Sequence, residues 1–295
     1  MLDPPFDVVS LNGGIVPAAE ARVSVFDRGF LFGDGVYEVV RCFAGRWLDM
    51  DLHVGRLRKS LVAVGIDPTV ADELPRAAHA LLGGRPLDAS IYLQVTRGAA
   101  STRVHLPTPG LVPTVMAMLS PTESLEALRA LPAPLAIDAV TCVDSRWLRL
   151  DIKSISLMGA LLPLLEAHRQ GAGEVIFTRD GLLAEGGASN VFLVIDGRLV
   201  TPPLGDPPML HGCLRTRLLA VAIERGIPTT VRRVLAGELQ RAEAIFTTGS
   251  RSLIRTVRSL DGAPVGDPTG RPCGIATALW SGLLDAIDRD ARSLT

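Results

Sequence analysis

Short apolar segments that end at glycine turns recur along this 295-residue chain, and they most restrict what it can fold into. The segment 8–11 precedes Asn12-Gly13-Gly14, and the β-branched run 36–43 precedes Ala44-Gly45. Asp196-Gly197 separates two further apolar runs in the same way. Because such runs joined by short glycine turns are typical of β-hairpins, the chain is predicted to contain antiparallel sheet.

Helical segments alternate with these strands. Leu57, Leu61 and Val64 recur at helical spacing, and Gly65 ends the run as a C-terminal glycine does. The same reasoning predicts helices over 52–64, 70–82, a segment that ends near 170, 213–225 and 275–288. Strands that alternate with helices indicate a mixed α/β fold.

Length and composition indicate two domains. The chain is 47% hydrophobic, enough for a sizeable core, and its length corresponds to about two domains of roughly 150 residues. The polar segment 120–124 contains a proline and is typical of a linker. We predict a smaller N-terminal α/β domain over 1–119, a linker over 120–125, and a larger C-terminal α/β domain over 126–295.

Charge and cysteine content exclude several classes of function. The net charge is −1 with both signs interspersed, which argues against nucleic acid or a membrane surface as partner. No apolar run reaches the ~18 residues of a membrane span. Four separated cysteines form no C-x-x-C pair, so neither a metal site nor a disulfide framework is expected. Residues 1–5 lack the charged start of a leader peptide, and a cytoplasmic location is expected.

Lys153 is the strongest candidate for chemistry. The chain has only two lysines, and its other 28 basic residues are arginine. An amine can lose its proton when desolvated and attack a carbonyl, which a guanidinium cannot do. Lys59 lies in the charged run 56–59 and is predicted to be solvated, whereas an almost entirely apolar stretch follows Lys153. A lysine stem that merely covers core surface is the alternative.

An aldehyde cofactor on Lys153 would need an anion cup and an acid for a ring nitrogen. The junction 210–214 is predicted to present helix N–H groups to a phosphate, the turn 247–250 could supply a second arm, and Arg56 could add charged donors. Glu185 lies among small and apolar residues and could protonate a pyridine nitrogen, although an ion pair would equally explain it.

Four long segments resemble the class IV pyridoxal-phosphate aminotransferases. They occur in the order of that family and cover nearly the whole chain: 27–40, 91–98, 146–154 and 185–192. The closest resemblance within the class is to D-amino-acid aminotransferases, because Arg103-Val104-His105 matches their R-x-H loop.

The resemblance implies a two-domain fold type IV structure with pyridoxal 5′-phosphate (PLP) at the domain interface. It implies that Lys153 forms the Schiff base, Glu185 pairs with the pyridine nitrogen, and Arg146 contacts the ring hydroxyl. The other implied roles are phosphate binding by Arg56, Cys213, Leu214, Gly249 and Ser250, and binding of the substrate carboxylate by Tyr37, Arg103 and His105. In that family the Arg and His reach across a homodimer interface.

The resemblance further implies ping-pong transfer of an amino group from a D-amino acid such as D-alanine to a 2-oxo acid. Two departures concern the phosphate site: the usual G-I-T-R is Gly212-Cys213-Leu214-Arg215, which lacks the hydroxyl, and only Ser250 remains of a hydroxyl pair at 249–250. The alternatives on this scaffold are an (R)-amine transaminase, a branched-chain L-amino-acid aminotransferase and an aminodeoxychorismate lyase. A non-catalytic binding protein is the alternative from another class.

Overall fold

A computed structural model of the chain describes residues 6–266 and 273–292. The segment 1–5, on which the expectation about a leader peptide rests, lies outside the described residues. Two compact units account for the chain: Met1–Ser124 with Ile152–Leu157, and Leu125–Asp151 with Met158–Thr295. The division after Ser124 falls within the predicted linker, but the segment that contains Lys153 groups with the N-terminal unit rather than with the predicted range 126–295.

The N-terminal unit contains an antiparallel sheet of six strands in the order β2-β1-β6-β5-β3-β4. The strands are β1 (Val8–Leu11), β2 (Gly14–Pro17), β3 (Gly35–Phe43), β4 (Arg46–Trp47), β5 (Ala89–Thr96) and β6 (Thr114–Pro121). The helices are α1 (Arg28–Phe32), α2 (Met50–Val64) and α3 (Glu73–Leu82). Both predicted hairpins are therefore confirmed in this unit.

The helix α2 ends where the sequence predicts. Gly65 has a φ of 67°, and its N–H donates to the carbonyls of Leu61 and Val62. The second predicted helix is interrupted, because Pro68–Asp72 form a 3-10 helix before α3 begins. The Asp67 side chain accepts from the N–H of Thr69, and this cap starts the 3-10 helix two residues before the predicted start at 70.

The core of the N-terminal unit lies between the sheet and these two helices. Leu57 and Leu61 of α2 and Leu74 of α3 are fully buried. They belong to one cluster with Val36 and Ile91 of the sheet. Each such buried leucine contributes about 1.5–3 kcal/mol relative to an exposed one, so this packing fixes the strand that carries Tyr37 and Glu38.

The C-terminal unit contains a mixed sheet of nine strands in the order β12-β11-β10-β13-β14-β7-β8-β9, with β15 paired to β14. The strands are β7 (Leu135–Val143), β8 (Glu174–Arg179), β9 (Leu182–Gly186), β10 (Asn190–Ile195), β11 (Arg198–Thr201), β12 (Thr229–Val231), β13 (Ala244–Gly249), β14 (Leu253–Leu260) and β15 (Ala263–Pro264). The helices are α4 (Leu125–Arg129), α5 (Met158–Arg169), α6 (Cys213–Glu224) and α7 (Gly274–Arg292).

Both faces of the central strands in this unit are buried. Ile176 belongs to one apolar cluster, and its neighbours Val175 and Phe177 belong to another, which includes Ala160 and Ala167 of α5. Phe192 and Phe246 face each other on β10 and β13, with stacked rings 5.4 Å apart. The sheet is therefore a rigid base for the side chains at its strand ends.

The turn between β9 and β10 is held by one buried carboxylate. Glu174 accepts hydrogen bonds from the N–H of Gly187 at 3.0 Å and from the hydroxyl of Ser189 at 2.7 Å. Glu185 lies near the end of β9, and this turn therefore fixes its position. The strand β9 was not predicted from the sequence. Among residues 6–266 and 273–292, no helix combines the length and apolar character needed to cross a bilayer.

Candidate active site

Lys153 lies on a segment that is bonded along β3 in the N-terminal unit. Its carbonyl accepts from the N–H of Tyr37 at 3.0 Å, and its own N–H donates to the hydroxyl of Ser60 at 3.1 Å. The Nζ atom lies 4.2 Å from the centroid of the Tyr37 ring. Two predicted site residues, Lys153 and Tyr37, are thus in contact, whereas Lys59 is exposed on α2 as predicted.

Arg56 pairs with a buried carboxylate that the sequence did not single out. Its Nε and Nη2 each donate to Glu38 at 2.7 Å, and the Nδ1 of His53 lies 2.7 Å from the same carboxylate. Burial alone would raise the pKa of Glu38, but the charge and hydrogen bonds of Arg56 outweigh it and lower the pKa to about 2. Glu38 is therefore a carboxylate at neutral pH.

Two features of the sequence could have indicated this cluster. His53 precedes Arg56 by three residues on α2, and such residues are neighbours on a helix surface. Glu38 follows Tyr37 on β3, so the two side chains point to opposite faces of the strand. Neither feature predicts that Glu38 pairs with Arg56 and His53, because the packing of α2 against β3 is a tertiary contact.

Arg103 and His105 lie together around the ring of Phe32 in the same unit. The Phe32 centroid is 5.7 Å from the His105 ring and 5.1 Å from the Cζ of Arg103. Both side chains are exposed, as is Val104 between them. The predicted R-x-H pair is therefore brought together at the surface of the N-terminal unit.

In the C-terminal unit Arg146 joins two buried carboxylates. Its Nε and Nη2 donate to Asp144 at 2.9 Å each, and its Nη1 donates to Glu185 at 3.0 Å. The guanidinium lies over the ring of Phe177, 4.2 Å from the centroid. Arg179 adds a second ion pair to Asp144 at 3.0 Å. Two more predicted residues, Arg146 and Glu185, are thus in contact.

Glu185 has an unusual protonation equilibrium. Burial raises its pKa, the nearby Asp144 adds to this effect, and the charge of Arg146 and the N–H of Leu210 offset it only in part, so that the pKa is raised to about 7. The carboxylate also accepts from the Leu210 N–H at 3.0 Å and faces the amide nitrogen of Asn190 at 3.4 Å. A cation placed beside Glu185 would stabilise its ionised form.

Cys213 and Leu214 are the first two residues of α6, and both are buried. The free N–H groups and the positive end of a helix dipole favour an anion at this end. Gly212 precedes the helix, and a Cβ at Gly212 would lie 1.9 Å from the Oδ1 of Asn190. Only glycine allows the chain to approach Asn190 this closely.

Thr248 carries a buried hydroxyl that has no hydrogen-bond partner among the described residues. It lies directly opposite Asn190 in the pairing of β13 with β10, so the two side chains are on the same face of the sheet. Gly249 and Ser250 follow it at the end of β13 and are half-buried. The sequence predicts the turn 247–250 as one arm of a phosphate cup but does not single out Thr248 within it.

Comparison with known proteins identifies the family. The profile described as amino-transferase class IV matches residues 35–260. A D-alanine aminotransferase from Bacillus licheniformis is 35% identical over 280 residues, which cover 94% of this chain and 97% of that protein.

Solved structures agree with this assignment. A branched-chain amino acid aminotransferase from Escherichia coli has a TM-score of 0.85 at 26% identity, with 95% of this chain and 94% of that chain covered. The PLP-bound form of a hypothetical aminotransferase from Mycobacterium tuberculosis has a TM-score of 0.80 at 26% identity, with 97% and 100% covered. The predicted family, fold class and cofactor are thereby confirmed, and the chain belongs to the class IV aminotransferases, which depend on pyridoxal 5′-phosphate.

Proposed function

We propose that the enzyme transfers an amino group from a D-amino acid, such as D-alanine, to a 2-oxo acid. The observation that carries this proposal is the placement of Arg103 and His105 around Phe32, because a guanidinium fork suits a carboxylate. The 35% identity to a D-alanine aminotransferase supports the same substrate class. We assign Tyr37 as the third residue that binds the α-carboxylate.

The residues of the N-terminal unit supply the reactive amine. Lys153 would hold the cofactor through its aldehyde, and its Nζ would move the proton at the substrate Cα. The contact of Nζ with the Tyr37 ring and the backbone bonds to Ser60 and Tyr37 hold this amine in place. Because one product leaves before the second substrate binds, we expect ping-pong kinetics.

The residues of the C-terminal unit fit a pyridine ring. When bound, pyridoxal phosphate supplies an electron sink for charge that develops at Cα. We propose that Glu185 faces the ring nitrogen and Arg146 the ring hydroxyl. The raised pKa of Glu185 supports this role, since a buried carboxyl without a full complement of positive charge is suited to a cationic ring nitrogen.

A phosphate fits the start of α6. We propose that the N–H groups of Cys213 and Leu214, together with Gly249 and Ser250, form the cup. Arg56 would add its charge, with its orientation set by Glu38. Thr248 would supply the hydroxyl that Leu214 lacks, because its Oγ1 has no partner within the described part of the chain and is on the sheet face that carries Asn190, against which Gly212 lies.

An exposed stripe on α5 supports the homodimer that the resemblance implies. Met158, Leu161, Leu162 and Leu165 recur at helical spacing, and their exposed fractions lie between 43% and 60%. An exposed apolar stripe of this kind marks an interaction surface. We propose that a second copy of the chain covers it.

A cytoplasmic location is supported by the four free cysteines, because reduced thiols are typical of that compartment.

The substrate assignment is tested with three amino donors and 2-oxoglutarate as acceptor. We expect kcat/KM for D-alanine to exceed that for L-leucine and for (R)-1-phenylethylamine by at least about tenfold, a difference of ~1.4 kcal/mol in transition-state binding. L-leucine as the best donor would instead make the enzyme a branched-chain aminotransferase. Pyruvate released from aminodeoxychorismate without any acceptor would make it a lyase.

Lys153 and Lys59 form a matched pair of variants, since the chain has no other lysine. Lys153→Ala should abolish transamination, because the other lysine, Lys59, is exposed on α2, while Lys59→Ala should retain it. Borohydride reduction of the cofactor-loaded enzyme followed by peptide mapping should label position 153 alone. A label at Lys59, or turnover by Lys153→Ala, would contradict the assignment.

Thr248→Val should weaken PLP binding by about tenfold, as expected for loss of a hydrogen bond to a charged group. Binding of unphosphorylated pyridoxal should not change, and Leu214→Thr in the Thr248→Val background should restore PLP affinity. Absorbance titration of each apoenzyme measures the dissociation constants of PLP and of pyridoxal. Thr247→Val is the control, because Thr247 is buried on the opposite face of β13. Equal losses for PLP and pyridoxal would show that Thr248 does not contact the phosphate.

Leu162→Asp should convert the dimer to a monomer, because in a two-fold interface the new charge on each copy would be buried against the apolar stripe of the other. Ile223→Asp, at a position on α6 that is 77% exposed, is the control and should remain dimeric. Sedimentation velocity measures both. A monomeric parent enzyme, or a dimeric Leu162→Asp variant, would disprove this placement of the interface.

A further inference from the structure

The loop that carries Arg103 and His105 contains no helix or strand between residues 101 and 113. Within one copy of the chain the side chains of residues 101–110 are exposed, and the described ring contacts are those of Arg103 and His105 with Phe32, so apolar packing within that copy holds this segment only weakly. A loop with so few buried contacts would ordinarily sample many conformations. Its position therefore depends on polar contacts to its backbone.

One buried side chain makes those contacts. The Nη1 of Arg28 donates to the carbonyl of Val104 and its Nη2 to the carbonyl of His105, both at 2.7 Å. Arg28 is only 4% exposed, and the Phe32 ring that contacts Arg103 and His105 also lies 4.8 Å from the Arg28 Cζ. The guanidinium thus holds the two peptide carbonyls on either side of the His105 Cα.

The Arg28 side chain is itself held by an ion pair with Asp34. Its Nε donates to Asp34 at 2.7 Å, and Arg97 donates to both oxygens of the same carboxylate. Burial would raise the pKa of Asp34, but the hydrogen bonds and charges of Arg97 and Arg28 outweigh it and lower the pKa. The Arg28 N–H also donates to the carbonyl of Gly98 at 3.0 Å. The side chain therefore has one orientation available.

We propose that Arg28 is a positioning residue for recognition of the substrate carboxylate: it holds the Arg103–His105 loop in its binding conformation before the substrate arrives. This inference rests on the proposed role of Arg103 and His105. Ordering a loop in advance removes that cost from the binding step, so the effect appears in KM rather than in the chemical step. A planar fork is required, because a lysine amine cannot donate to two carbonyls and to Asp34 in fixed directions.

The test compares Arg28→Lys with Arg97→Lys. Both substitutions keep a positive charge beside Asp34, but Arg97 donates to the carbonyls of Val64 and Gly65 and not to the loop. We expect Arg28→Lys to raise KM for D-alanine about tenfold while kcat and PLP affinity stay within about threefold, and Arg97→Lys to change none of them by more than about threefold. Equal increases of KM in both variants would show that the ion-pair cluster matters only for general stability, and the proposal would be wrong.

A second measurement needs neither activity nor substrate. The Arg103–Val104 bond is a trypsin site within the loop, and cleavage there should accelerate at least about fivefold in Arg28→Lys but not in Arg97→Lys. Unchanged cleavage, or an Arg28→Lys protein that circular dichroism shows to be unfolded, would overturn the proposal. An enzyme that binds PLP but does not use D-alanine would refute the proposed substrate, whereas the proteolysis result would still decide whether Arg28 holds the loop.

Discussion

Buried carboxylates held by arginine forks are the constraint on which the rest of this structure depends. An ionised carboxylate in the interior is costly unless fixed charges and hydrogen bonds replace its hydration. Glu38 meets this condition through Arg56, and Asp144 meets it through Arg146 and Arg179. Removing one partner would leave an uncompensated charge. These pairs therefore tolerate little displacement, and the elements that carry them are fixed with them.

Arginine suits the buried ion pairs of this architecture. A guanidinium can satisfy a carboxylate with two parallel bonds and still donate to a third group, as Arg146 does between Asp144 and Glu185. A lysine amine has no such directional fork. The two lysines differ in their surroundings, since the Nζ of Lys153 contacts the Tyr37 ring and Lys59 is exposed to solvent.

Local patterns predicted the hairpins, most helices and the glycine that ends α2, because turns and caps depend on neighbouring residues alone. The family motifs singled out residues that the structure brings into contact, since Lys153 touches Tyr37 and Arg146 touches Glu185. The sequence did not predict two buried carboxylates, Glu38 and Glu174, as hydrogen-bond partners. Glu38 precedes Arg56 by eighteen residues, and Glu174 holds a turn thirteen residues away, so no local periodicity connects either pair.

The sequence by itself determined the family, the mixed α/β class, the cofactor and the candidate amine, because each depends on residue types in a fixed local order. Only the tertiary structure decided that the Lys153 segment groups with the N-terminal unit and that Arg28 holds the loop of Arg103 and His105. It also decided that the hydroxyl of Thr248 is buried with no partner among residues 6–266 and 273–292. The physical reason is that burial and hydrogen-bond partnership are properties of folded neighbours. Neighbours that are distant in sequence meet only when the sheets pair and the helices pack on them.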